Sequence, residues 1–150
     1  MKKRILLLTT LAAMLTAAMA LSGVAQAAPI SDKADAQCAK LAIKTLGPSY
    51  NPSNYTFYGG TEGIEYIDTN QGTFGPDVFC GFGGDDRIAG TLYVGDIFLG
   101  GAGNDYVPFN FGTFYGGAGD DHVLENFAIG TFYGQEGNDW VLFNSGLFVQ

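Results

Sequence analysis

Between residues 55 and 150 the apolar residues fall into two columns, set at fixed offsets from glycine-rich turns. Phe57, Phe79, Phe98, Phe114 and Phe132 each stand two residues before such a turn, and Ile67, Ile88, Val107, Val123 and Val141 each stand two residues after the acidic residue that ends it. From Phe to aliphatic the spacing is 10, 9, 9, 9 and 9 residues; from aliphatic to the next Phe it is 12, 10, 7 and 9. Runs such as Thr113-Phe114-Tyr115 alternate, so Phe114 faces one side of a strand and its neighbours the other. No helical period competes in this stretch. The pattern predicts an all-β fold, a right-handed parallel β-roll or β-solenoid of about five coils of ~18 residues. A Phe ladder would face an Ile/Val ladder across a thin core. A globular β-sandwich also has short strands and glycine turns, but does not require ten positions at fixed offsets. Each coil buries too little alone, so stability rests on stacking.

The turns are of two kinds. Gly81-Phe82-Gly83-Gly84-Asp85-Asp86, Gly100-Gly101-Ala102-Gly103-Asn104-Asp105, Gly116-Gly117-Ala118-Gly119-Asp120-Asp121 and Gly134-Gln135-Glu136-Gly137-Asn138-Asp139 are four copies of one hexapeptide. A degenerate fifth, Gly59 to Glu65, reads as carrying one inserted residue at Ile64. The opposite turns drift in length by several residues. A fixed length on one side suggests that this turn presents atoms in a set array. Each constant turn ends in a carboxylate: Glu65, Asp86, Asp105, Asp121 or Asp139. Stacked about 4.8 Å apart, such a column is destabilising unless a cation sits within it. Glycine turns expose carbonyls, and calcium takes six to eight hard oxygen ligands, so calcium suits the set better than zinc.

Segment 81–141 resembles the RTX nonapeptide repeat, a calcium-binding β-roll repeat. The resemblance implies Ca2+ held between consecutive loops by the sixth-position Asp and backbone carbonyls. Carried over, the metal set is Gly81, Gly83, Asp85, Asp86, Gly100, Gly101, Gly103, Asn104, Asp105, Gly116, Gly117, Gly119, Asp120, Asp121, Gly134, Gly137, Asn138 and Asp139, giving about three inter-loop sites. On the variable side, Gly72-Thr73-Phe74-Gly75-Pro76-Asp77 matches a loop and Gly95-Asp96 ends a looser one, so a fourth site would involve Asp77 and Asp96. Gly112 and Gly130 sit where further aspartates would be. Glu65 departs from Asp, and Gln135 replaces the second glycine of the last loop.

The first residues change the charge balance. Lys2, Lys3 and Arg4, an apolar run from Ile5 to about Leu21, and Ala25-Gln26-Ala27 read as a secretory signal peptide over 1–27, with a membrane anchor as the alternative. The expected domains are then 1–27 signal peptide, 28–54 capping helix and linker, and 55–150 calcium-binding β-roll, in a secreted, extracellular protein with no transmembrane segment after cleavage. Beyond residue 27 only Lys33, Lys40, Lys44 and Arg87 oppose 15 acidic residues, a net charge of −11. Such a chain does not bind nucleic acid through phosphates and attracts cations instead. The two cysteines, Cys38 and Cys80, point to one disulfide in an exported chain, with two free thiols as the alternative. A disulfide closing that loop contributes on the order of 4 kcal/mol. Residues 31–46 read as a helix capped by Ser31 or Asp32 and stopped at Gly47-Pro48, with Ala34, Cys38, Leu41, Ala42 and Ile43 on one face. It is expected to dock on Val78, Cys80, Ile97 and Leu99, the outward neighbours of Phe79 and Phe98.

Particular residues raise other functions. An outward stripe of Thr56/Tyr58, Thr113/Tyr115 and Thr131/Tyr133 would serve a surface-adhesion, glycan- or ice-binding protein, but ordinary exposed strand residues look the same. His122 is the one histidine and is expected at an outward strand position. No triad assembles around it, and a polysaccharide lyase would need a basic or Tyr catalyst in a groove. The chain is therefore expected not to be an enzyme. Leu147, Phe148 and Val149 are expected to close the C-terminal end or to continue into a partner chain.

Overall fold

The computed structural model describes residues 33–150. The expected leader and the candidate caps Ser31 and Asp32 lie outside the described residues. The described chain is a helix, α1 (Lys33–Leu46), followed by twelve short strands in two parallel sheets. One sheet is built in the order β1 (Thr56–Gly59), β3 (Asp77–Gly83), β6 (Ile97–Ala102), β8 (Thr113–Ala118), β10 (Thr131–Glu136), β12 (Leu147–Val149). The facing sheet runs β2 (Tyr66–Ile67), β4 (Arg87–Ile88), β7 (Tyr106–Asn110), β9 (His122–Asn126), β11 (Trp140–Asn144), with β5 (Thr91–Leu92) also pairing with β7. This is a β-solenoid. From one coil to the next the register advances 21, 19, 16, 18 and 16 residues.

The inner core is the expected pair of ladders. Phe79, Phe98, Phe114 and Phe132 are buried against Ile88, Leu92, Val107 and Val123. Ring centroids lie 5.0 Å apart from Phe98 to Phe114 and 4.7 Å from Phe114 to Phe132. The ladder runs on to Phe148, 5.0 Å from Phe132.

Its first rung differs from the sequence expectation. Tyr58, not Phe57, stacks on Phe79, at 5.1 Å, and the register pairs Tyr58 with Phe79. Phe57 faces outward under α1. Counting from Tyr58 to Ile67 restores the nine-residue interval of the other coils, so Ile64 is no insertion and the first loop is Gly60 to Glu65. The space a Cβ on Gly84 would need is filled by the Gly63 backbone, which places Gly63 directly beneath Gly84 in the stack. An aromatic pair at 57–58 offers two registers that differ by one residue, and the loop length decides between them.

Outside the first sheet lies a second cluster. Cys38, Ala39 and Ala42 of α1 pack on Phe57, Val78, Cys80, Ile97 and Leu99. The Cys38–Cys80 disulfide joins α1 to β3, with a Cα–Cα distance of 5.6 Å. Ile43, expected on the packed face, is 47% exposed, and Ala39 takes its place. The helix meets the sheet through small side chains, which let its axis come close. Among the described residues no helix is long and apolar enough to cross a membrane.

The ladder makes a direct prediction. Phe114→Ala leaves a void between two stacked rings and should lower stability by about 3–5 kcal/mol, read from the urea midpoint. Phe143→Ala, at a residue 61% exposed, should move the same midpoint little.

Candidate metal centre

The constant turn is held by its glycines. The second position has positive φ in every regular loop: Phe82 at 72°, Gly101 at 114°, Gly117 at 118° and Gln135 at 80°. The fourth position does too, at Gly84, Gly103, Gly119 and Gly137. A Cβ on Gly103 would strike the Gly84 carbonyl, one on Gly119 the Gly103 carbonyl, and one on Gly137 the Gly119 carbonyl. The glycine of the 81–86 loop that matches Gly103 is therefore Gly84, which the sequence reading passed over in favour of Gly83.

The sixth-position carboxylates point into the solenoid. Asp86, Asp105, Asp121 and Asp139 are all buried. Each accepts at Oδ1 from a backbone N–H of the coil before it: Glu65 to Asp86 at 2.8 Å, Asp86 to Asp105 at 2.8 Å, Asp105 to Asp121 at 2.7 Å, Asp121 to Asp139 at 2.9 Å. The four Oδ2 atoms are buried with no hydrogen-bond partner.

What surrounds those oxygens is specific. The volume a Cβ on Gly81 would occupy is filled by Asp86 Oδ2 and the Gly100 carbonyl. The same volume at Gly100 holds Asp105 Oδ2 and the Gly116 carbonyl, and at Gly116 it holds Asp121 Oδ2 and the Gly134 carbonyl. Three carboxylate oxygens thus each share a small buried space with a carbonyl oxygen of the next loop. A buried carboxylate oxygen that has no donor is relieved by a proton or by a cation beside it. At Gly134 the three nearest atoms all belong to Asp139, and among the described residues no further loop stacks there. In the first loop Glu65 accepts from the Thr61 N–H and hydroxyl, so its carboxylate is already satisfied.

Burial is the main cause that pushes Asp86, Asp105 and Asp121 up to about 7, with neighbouring carboxylates adding to it and the backbone N–H donors opposing it. Among the described residues no three His, Cys, Asp or Glu side chains converge to hold a metal ion. A cation here would have to draw on backbone carbonyls, which the pairing above supplies.

The fifth-position residues named with this set do not join it. Asp85, Asn104, Asp120 and Asn138 are exposed and form a ladder of their own outside the turn. Asn104 N–H donates to Asp85 Oδ1, Asp120 N–H to Asn104 Oδ1, and Asn138 N–H to Asp120 Oδ1, each close to 2.8 Å. Asp and Asn alternate, so no two carboxylates are neighbours in that column.

The variable side departs further from a metal site. Asp77 and Asp96 are buried, but both are satisfied: Asp77 by the Thr73 N–H and hydroxyl, Asp96 by the N–H groups of Asp77 and Tyr93. They line a cleft of about 450 Å³ with Thr69, Phe74 and Tyr93. In later coils Gly112 and Gly130 stand in that column, and buried asparagines from the facing sheet take over. Asn110 Nδ2 donates to Asn126 Oδ1 at 2.9 Å, and Asn126 Nδ2 to Asn144 Oδ1 at 3.0 Å. A Cβ on Gly130 would strike Asn126 Oδ1. The sequence reading missed this Asn ladder, although Asn110, Asn126 and Asn144 each stand three residues after a Val of the inner column.

The outward residues also differ from expectation. Tyr58 lies in the core, so the Thr/Tyr stripe is confined to Tyr115 and Tyr133, stacked at 4.8 Å, with Tyr115 packed against the helix cluster. His122 is half-buried between the rings of Tyr106 and Trp140. Arg87 lies over the Tyr106 ring at 4.2 Å. Comparison with known protein families, curated proteins and solved structures finds no match to this chain.

The raised carboxylates set a pH dependence. Their folded pKa of about 7 exceeds the usual 3.8, so between these values the folded protein holds protons that the unfolded chain has released. Metal-free protein should therefore be most stable near pH 4 and lose stability as the pH rises towards 7. Urea midpoints across this window in EDTA check it. Asp105→Asn keeps the acceptor for the Asp86 N–H and turns a donor towards the Gly116 carbonyl. It should raise metal-free stability at pH 7 and flatten the slope.

Proposed function

We propose that this chain is a secreted calcium-binding β-roll, a structural or interaction module whose coils are tied together by Ca2+ held within the constant turns. The observation that carries the reading is the set of buried Oδ2 atoms of Asp86, Asp105 and Asp121, which have no hydrogen-bond partner and each lie, with a carbonyl oxygen of the next loop, beside the first glycine of their own loop. Calcium accepts oxygen ligands of both kinds. An ion in each of the three spaces would neutralise a buried carboxylate and bridge two coils. The overall acidity favours cation uptake, and the resemblance of the hexapeptides to the RTX repeat points the same way.

Binding to the folded state alone stabilises it, so calcium would drive the fold. Calorimetric titration should give close to three ions per chain, at affinities of ~10⁻⁴–10⁻³ M if the module works outside the cell. Circular dichroism should lose β signal on adding EDTA at pH 7 and regain it with calcium; a spectrum indifferent to both would overturn the proposal. Asp105→Asn should remove about one ion from the stoichiometry, whereas Asp96→Asn, whose parent carboxylate is already satisfied, should leave it unchanged.

A further inference from the structure

The first two variable turns are longer than the stack requires. From an inner aliphatic to the next inner Phe the chain uses 12 residues after Ile67 and 10 after Ile88, but 7 after Val107 and 9 after Val123. Later coils close the same edge of the solenoid with fewer residues, so the extra length is available to carry a site. Between these two long turns lies the cleft of about 450 Å³, a volume typical of small-molecule sites.

Both turns are fixed at their bases. Asp77 accepts from the Thr73 N–H and hydroxyl, which holds Phe74, Gly75 and Pro76 as a short tip. Asp96 accepts from the Tyr93 N–H at 3.3 Å and from the Asp77 N–H at 3.1 Å, which ties the second turn to the first. The Tyr93 hydroxyl donates to Asn70 Oδ1 at 3.5 Å, again from one turn to the other. On this frame three large side chains stand out of the protein: Phe74 is fully exposed, Val94 is 68% exposed and Tyr93 49%. All three line the cleft, and none belongs to either hydrophobic cluster of the fold.

The lining selects a ligand by charge and by hydrogen-bonding type. It contains the carboxylates of Asp77 and Asp96 and no Lys, Arg or His, so an anion finds no partner there. The hydroxyls of Thr69, Thr73 and Tyr93 and the Asn70 amide already donate to oxygen atoms of the protein. A saccharide, which needs donors as well as acceptors, is poorly served by that set. Calcium needs six to eight oxygen ligands, and apolar walls supply none. Aromatic faces attract cations through their quadrupole, and the acidity of the whole chain concentrates cations at its surface. We propose that the cleft binds an organic ammonium cation, its charged nitrogen drawn by Asp77 and Asp96 and its carbon chain laid against Phe74, Tyr93 and Val94.

The test is an NMR titration of the isotope-labelled full chain in calcium-containing buffer, with three probes that share one carbon skeleton: n-butylammonium, n-butanol and butyrate. n-Butylammonium should shift the amides of Thr73, Phe74, Tyr93 and Val94 saturably, with a dissociation constant of about 1 mM, while the neutral and anionic probes leave them in place. These amides lie on the edge opposite the constant turns, so the result does not depend on how those turns bind calcium. Phe74→Ala and Tyr93→Ala, at side chains outside the core, should each weaken binding by about two- to five-fold and leave the rest of the spectrum unchanged. Equal shifts with n-butanol, shifts matched by ammonium chloride at the same concentration, displacement of n-butylammonium by calcium or by methyl β-glucoside, or an undiminished affinity in the Phe74→Ala, Tyr93→Ala double variant would each overturn the proposal.

Discussion

Each buried aspartate of the constant turn satisfies a backbone N–H that belongs to the coil before it. No coil can therefore complete its own hydrogen bonds. The contact fixes the register between coils, because a carboxylate one residue out of place would leave both itself and the N–H unpaired in a dry interior. It dictates the first glycine of the hexapeptide, whose missing side chain makes room for the second carboxylate oxygen. It also creates the chemical problem that the turn must solve, a column of carboxylates in which only half of each group is used.

That problem explains the difference between the two turns. On the variable side the column begins with Asp77 and Asp96, fully satisfied by nearby N–H and hydroxyl groups, and then gives way to asparagines. An amide donates as well as accepts, so Asn110 and Asn126 pass a hydrogen bond from coil to coil without carrying charge. Neutral amides tolerate drifting turn lengths, because nothing else has to be placed between the coils. Carboxylates with an unused oxygen do not. The exposed fifth-position column uses a mixture of the two, each Asp separated from the next by an Asn, so its charges are spaced by two coils.

The coil count, the two inner ladders, the docking patch and the disulfide were legible in the sequence, because each rests on a period or on a residue type with one plausible partner. What was not legible has a common cause. Phe57 and Tyr58 are both aromatic, and a hydrophobic pattern cannot say which of two neighbours turns inward. The loop length could have decided it, since only Tyr58 keeps the nine-residue interval. Ala39 is buried while Ile43, one turn further along nearly the same face, is exposed, a difference that the apolar pattern does not encode. The carboxylate column was anticipated as a repeat of like charges, but its Oδ1 contacts to backbone N–H groups were not, because they join residues 16 to 21 apart in sequence. The Asn ladder was hidden by the drift of the turns around it.

The disulfide has a mechanical consequence. A pull entering through α1 passes from Cys38 straight into Cys80 and so into β3. The residues between them, which include β1 and β2, lie inside a covalent loop and carry no load along the chain. Tension between the helix and the later coils is borne by the coils after Cys80, whose outermost strands, among the described residues, have a neighbour on one side only. Those strands would peel first, one coil at a time, while the first coil stayed slack and folded.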